Sequence, residues 1–347
     1  MNLKKVLWAT AILGLVICGF IAYNIYDALF GANTSFNNEQ AIVFIPTNAT
    51  MIEVRRQMEP LLKNISKFEA VAQRKGYSNN IKPGRYAIKK GMNNNEIINT
   101  LRSQNLPVKV SFNNQETLGS LAGRVSSQIE ADSIALAAVL HDVDFIQSSG
   151  LNNDNALSMY LPNTYEFFWN TSAEQFRSRM KKEYERFWNS ERKEKAEKIS
   201  LTPTQVMSLA AIVQKETVKV DERPRVAGVY LNRLRRGMLL QADPTVIYAV
   251  KKETGNFDTI IKRVLYKDLT LDSPYNTYKY AGLPPGPITM PDISSIDAVL
   301  NAETHDYLYF VADVSNFGYH KFAKNLAQHN RNKVQYVEWL NAQKIKR

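Results

Sequence analysis

Between Lys5 and Asp27 the chain carries no charge, and the stretch Val6 to Tyr26 is predominantly apolar. About 20 such residues wound as a helix cross the roughly 30 Å hydrocarbon core of a bilayer. Lys4 and Lys5 precede the run and the next basic residue after it is Arg55, an asymmetry that predicts a cytoplasmic N-terminus with the bulk of the chain outside. The expected location is the inner (cytoplasmic) membrane, single-pass, with an extracytoplasmic or periplasmic body. A cleaved signal peptide would have a shorter apolar core ending in small residues. A lipoprotein would need a small residue before Cys18, where Ile17 stands. The length of the run fits an uncleaved anchor.

Cys18 is the one cysteine and lies inside that run, so the exported part has neither a disulfide nor a cysteine metal site. His141, His305, His320 and His329 show no short zinc-binding spacing. No metal and no cofactor are expected. The formal charge of +11 suits an acidic polymer or a membrane surface as partner. No nucleic-acid-binding motif is present, and nucleic acid is not an expected partner. Arg177 to Lys198 is dense in both charge signs and reads as a solvated, ion-paired helix.

The expected fold class is α+β: a transmembrane helix, a small module, and a larger mixed catalytic domain. Residues 1–30 form the cytoplasmic stub and anchor, and the polar stretch 31–40 a tether. Residues 41–106 form a compact module. Within it Val43 to Ile45 and Gly84 to Ile88 read as strands, while Thr50 with Glu53 and Asn93 with Glu96 are capping boxes. The helix after Thr50 should bend or end near Pro60, and a second short helix covers Phe68 to Lys75. Strand, two helices and strand is a LysM-like layout, which suggests binding to a sugar polymer. Residues 107–200 read as a mostly helical connecting region, interrupted at Leu161 to Ser172 by an aromatic cluster and Glu166, a second candidate acid. Residues 201–347 form the catalytic region. It has helices over Asp221 to Arg236 and from Asp243 to Val250, and a hairpin of Tyr307 to Ala312 with Tyr319 to Phe322.

Within that last region Thr202, Pro203 and Gln205 signal a helix start. Val206, Leu209, Ile212 and Val213 then fall on one stripe at 100° per residue, and Glu216 lands near its centre. A carboxyl placed among apolar side chains has its pKa raised, which a general acid near neutral pH requires. Alternatively the stripe ends one turn early and Glu216 is a solvated helix-end residue.

Four stretches carry a resemblance: Ile212-Val-Gln-Lys-Glu-Thr217, Leu240-Gln-Ala-Asp-Pro-Thr-Val-Ile-Tyr248, Tyr275-Asn-Thr-Tyr278 and Gly282-Leu-Pro-Pro-Gly-Pro-Ile288. In this order and spacing the chain resembles the endolytic murein transglycosylases of the YceG-like (MltG) family over residues 40 to 335. The resemblance implies cleavage of peptidoglycan glycan strands between N-acetylmuramic acid and N-acetylglucosamine without water, leaving 1,6-anhydro ends. It makes Glu216 the catalytic acid. The candidates for substrate binding are Gln241, Asp243, Thr245, Tyr275, Asn276, Thr277 and Tyr278. Asp243 before Pro244 is equally a helix N-cap, and Tyr275 to Tyr278 could be loop packing. The proline-rich run from Gly282 to Pro287 reads as a rigid loop able to wall a groove.

Gln214 stands where many relatives have a glutamate, and at −160° from Glu216 it should face away. Asn163 replaces an aspartate of the relatives' Pro-Asp-Thr-Tyr stretch, which weakens a catalytic role there. A rival reading is a non-enzymatic wall-binding scaffold of the growth machinery. A third is a hydrolase using Glu216 with Asp243. Membrane tethering would bring either enzyme close to nascent strands and their synthases.

Overall fold

The computed structural model describes residues 3–342. Helix α1 (Leu3–Phe30) is long and apolar enough to cross a membrane, and none of its residues is buried by protein. Such a helix is compatible with a single-pass anchor. The rest is mixed α+β, built from helices and, among the described residues, three two-stranded sheets. It folds as two compact units, the first holding residues up to 110 with 126–131 and 165–172, the second the remaining described residues.

In the first unit β1 (Gln40–Ile45) is followed by α2 (Met51–Met58), α3 (Ile65–Arg74), β2 (Gly84–Lys89) and α4 (Asn94–Ser103). β1 and β2 pair antiparallel with Val43 opposite Tyr86. Both capping boxes form, at Thr50 and at Asn93, and the chain tightens into a 3-10 turn at Pro60. Val43, Ile45, Phe68, Tyr86, Ile97 and Leu101 make the core. Residues 31–40 run along this core rather than away from it. Asn33 is buried, its amide donating to the carbonyl of Asn64 (2.9 Å) and to Asn94 Oδ1 (2.7 Å). Asn94 in turn donates to the carbonyl of Ala28 (2.8 Å) and Lys67 pairs with Asp27, so the last turn of α1 is part of the module.

β3 (Pro107–Phe112) comes where helix was expected. Its partner β4 (Asn163–Phe168) lies about fifty residues on, and a short strand with so remote a partner leaves little local signal. Between them lie α5 (Leu118–Ser126), α6 (Ser133–Leu140) and α7 (Val143–Ser148). α8 (Ala173–Phe187) and α9 (Ser190–Lys198) are the charged helices, laced by Arg179–Glu183 (2.6 Å) and Lys195–Glu191 (3.0 Å).

The second unit is organised around α10 (Pro203–Glu216), against which α11 (Arg223–Arg235), α12 (Asp243–Thr254) and α13 (Ile293–Leu300) pack. The single apolar stripe expected for α10 is an underestimate. Every residue from Val206 to Val213 is buried, because neighbours close around the helix on all sides. β5 (Tyr309–Ala312) and β6 (His320–Ala323) form the hairpin, with Phe310 opposite Phe322. α14 (Leu326–Ala342) packs across both strands.

Candidate functional site

Glu216 is the last residue of α10. The helix's unsatisfied carbonyls place partial negative charge there, which disfavours a carboxylate. Glu216 lies in the wall of a cleft of about 360 Å³ that is also lined by Tyr230, Arg233, Gln241, Asp243 and Tyr278. The residue keeps some exposure at the mouth. Burial pushes its carboxyl up to about 7; a hydrogen bond from Tyr230 and the Arg233 charge pull down, and the Asp243 charge pushes up. The Tyr230 hydroxyl donates to Glu216 Oε1 at 2.8 Å. Burial and the adjacent carboxylate hold that phenol far above its ordinary pKa, so it stays a donor. With Oε1 occupied as an acceptor, Oε2 is the oxygen left to carry a transferable proton.

The α12 side of the cleft is fixed by backbone rather than by a cap. Ala242, not Asp243, is the N-cap residue, and Asp243 makes no capping hydrogen bond. Its carboxylate instead accepts from Tyr278 Oη at 2.6 Å inside the cleft. Gln241 holds φ +52, a left-handed conformation costing a non-glycine residue about 1 to 3 kcal/mol. The surroundings enforce it. Gln241 N donates to the carbonyl of Thr277 (3.0 Å), Ala242 N to Thr277 Oγ1 (3.0 Å), and Thr277 Oγ1 meets Thr245 Oγ1 at 2.8 Å.

The eight residues singled out from sequence therefore separate by position. Glu216, Gln241, Asp243 and Tyr278 line one cleft. Thr245 and Thr277 are buried behind it and lock the entry to α12. Asn276 is buried as well, its amide donating to the carbonyls of Leu269 (3.0 Å) and Leu271 (2.8 Å). Tyr275 points elsewhere: it packs on Tyr248 with ring centroids 4.7 Å apart and reaches Asp154. The proline-rich loop is a packing element rather than part of this wall, and a Cβ on Gly286 would sit 1.9 Å from the carbonyl of Asp154. Gln214 does face away, accepting from Ser295 Oγ at 3.2 Å and from the backbone N–H of Asp292 at the start of α13. Glu166 is exposed on β4.

Arg233 and Tyr230 escaped the sequence reading as site residues. Arg233 is buried, donating through Nε to the carbonyl of Leu308 (2.7 Å) and through NH1 to that of Leu240 (2.8 Å), with no ion pair among the described residues. The signal was available. A cation at helical spacing among Val226, Val229 and Tyr230 is the same anomaly that marked Glu216. Chemically, the cleft combines a carboxyl able to hold a proton near neutral pH, a second carboxyl group and several hydroxyl and amide groups, which suits acid-assisted cleavage of a glycosidic bond.

Comparison with known proteins agrees with this frame. The endolytic murein transglycosylase of Bacillus subtilis is 33% identical over 299 residues, covering 81% of this chain and 80% of that protein. The endolytic murein transglycosylase of Streptococcus pneumoniae serotype 2 is 28% identical over an alignment of 355 residues, covering 92% of this chain but 62% of the longer relative. The crystal structure of a yceG-like protein from Listeria monocytogenes matches with a TM-score of 0.57 at 29% identity, covering 85% of this chain and 99% of that one. The model of the YceG-like family matches residues 43–335, and the chain is a member of that family.

Proposed function

We propose that the chain is a membrane-anchored peptidoglycan lytic transglycosylase in which Glu216 is the single acid and base. The observation that carries this reading is a carboxyl with a pKa of about 7, oriented by Tyr230 in a polar cleft. Glu216 Oε2 gives its proton to the oxygen bridging N-acetylmuramic acid and N-acetylglucosamine, and the C1–O bond breaks. Positive charge develops on the muramyl ring, and the Asp243 carboxylate is placed to stabilise it. The Glu216 carboxylate then takes the proton of the ring's own C6 hydroxyl, whose oxygen closes onto C1 as the 1,6-anhydro product. No water is consumed. The nucleophile is tethered, an advantage of about 7 to 11 kcal/mol over a free reactant, so no second obligatory acid is required. Cleavage within strands rather than at their ends follows the names of the relatives.

The strand-helix-helix-strand module supports a LysM-like role in gripping the glycan, with α1 as an uncleaved inner-membrane anchor, N-terminus inside, that holds the enzyme near nascent strands and their synthases. Building the end of α1 into the module core supports retention of the helix. Residues 31–40, 41–106, 107–200 and 201–347 serve in this reading as link, module, connector and catalytic region. The test is Glu216→Gln on purified sacculi. Loss of anhydro-muropeptides by about 10²- to 10⁴-fold, with glycan binding kept, is expected. Equal product from both proteins would remove Glu216 as the acid, and no product from either would leave the chain a scaffold. Reducing ends, one water heavier by mass spectrometry, would make it a hydrolase using Asp243.

A further inference from the structure

Glu216 borders a second cleft, of about 290 Å³, and among the described residues it is the one lining both. The two differ in chemistry. Where the first presents Arg233, Asp243 and Tyr278, the second is walled by Val218, Phe317, Tyr319, Tyr336 and Trp339. Phe317 is 85% exposed and Val218 81% exposed at its rim. Single exposed apolar residues are ordinary, but these flank an aromatic cleft beside the acid. The cleft is preformed. Tyr319 Oη donates to Asp221 Oδ2 (3.0 Å), while His320 is held to the buried Glu222 through its backbone N–H (2.7 Å) and Nδ1 (2.8 Å). Gly318 turns the hairpin at φ +86, where a Cβ would meet Lys219 Cε at 2.9 Å.

Resting on the transglycosylase reading, we infer that this aromatic cleft is the subsite for the leaving N-acetylhexosamine, with the reacting ring in the polar cleft. Bond cleavage puts positive charge on one ring only, and that ring needs the carboxylate and hydroxyls of the first cleft. The departing sugar leaves as a neutral alcohol. Its C–H faces and acetamido methyl are apolar surfaces that aromatic side chains cover well. Glu216 lines both clefts, so a bridging oxygen protonated by it would have one ring on each side.

The probe is a peptide-free octasaccharide of alternating N-acetylglucosamine and N-acetylmuramic acid, added to the full-length protein. In a Glu216→Gln background, Trp339→Ala and Phe317→Ala should each weaken binding roughly 3- to 10-fold, as expected for loss of one stacked ring. In the active protein the same changes raise KM with the pH profile unmoved. Trp339→Phe should restore binding while abolishing the fluorescence change that the octasaccharide causes in the parent. Phe317 is exposed at the hairpin tip, so its variant keeps the fold. Unchanged binding and KM in both alanine variants would overturn the subsite. If Glu216→Gln alone still made anhydro product, the acid assignment would fail instead.

Discussion

Lys215 and Glu216 are consecutive at the end of α10, yet they belong to environments that treat a carboxylate in opposite ways. On one side Glu116 accepts from Lys215 and Lys251, each at 2.8 Å. Burial alone would raise its pKa, but the two ammonium groups outweigh that and hold the carboxyl below its ordinary range. On the other side Glu216 is partly buried, with the Tyr230 phenol as its hydrogen-bond donor and the Arg233 and Asp243 charges opposing each other, and goes up to about 7. Burial is common to both; the partner decides the sign. The first arrangement ties α10 to α12 with a fixed charge. The second lets a carboxyl hold its proton close to neutral pH.

Four substitutions separate the two carboxyl environments. In the proposed mechanism Asp243→Asn removes the carboxylate that would face the developing charge; kcat should drop by about 10²- to 10³-fold, and the alkaline limb should move to lower pH because a group raising the Glu216 pKa is gone. Steady-state kinetics from pH 5 to 9 checks both. Glu216→Gln should stabilise the fold at high pH. Folded Glu216 keeps its proton up to about 7 while the unfolded chain releases it near 4.5, so native stability declines across that window as pH rises. Glutamine cannot ionise. A gain of about 2 kcal/mol at pH 8, mostly absent at pH 5, should appear in urea titrations.

Glu116→Gln should do the reverse, costing about 1.5 to 3 kcal/mol at pH 7 through two lost charge-assisted hydrogen bonds. The folded-state pKa of Glu116 is depressed, so its stabilisation is present above about 4.5 and lost as pH falls through the folded value. Melts of wild type and variant should therefore converge in acid. The smallest effect is expected for Tyr230→Phe. It deletes the hydrogen bond that lowers the Glu216 pKa, so the alkaline limb should shift upward by up to about one unit, or roughly 1.4 kcal/mol. A shift to lower pH would mean that Tyr230 does not stabilise the carboxylate.

Which features were legible in the sequence follows from the range over which each is determined. Caps at Thr50, Asn93 and Thr202 depend on residues three apart, and all three form. The placement of Glu216 depends on helical phase, which is equally local. Asp243 looked like an N-cap because Asp-Pro begins helices, but its contact, Tyr278, is 35 residues away. The hydroxyl pair of Thr245 and Thr277, and the left-handed Gln241 that they secure, likewise exist only once two distant segments meet. β3 was hidden for the same reason. Arg233 is different, since it broke the apolar spacing of its own helix and could have been read from it.

The join between α1 and the first unit has a mechanical outcome. With Asn94 and Lys67 gripping Ala28 and Asp27, the end of the helix and the module move together as one stiff body, with no slack between them. Were α1 seated in a bilayer, whatever the module binds would have to lie within a short height of the lipid surface.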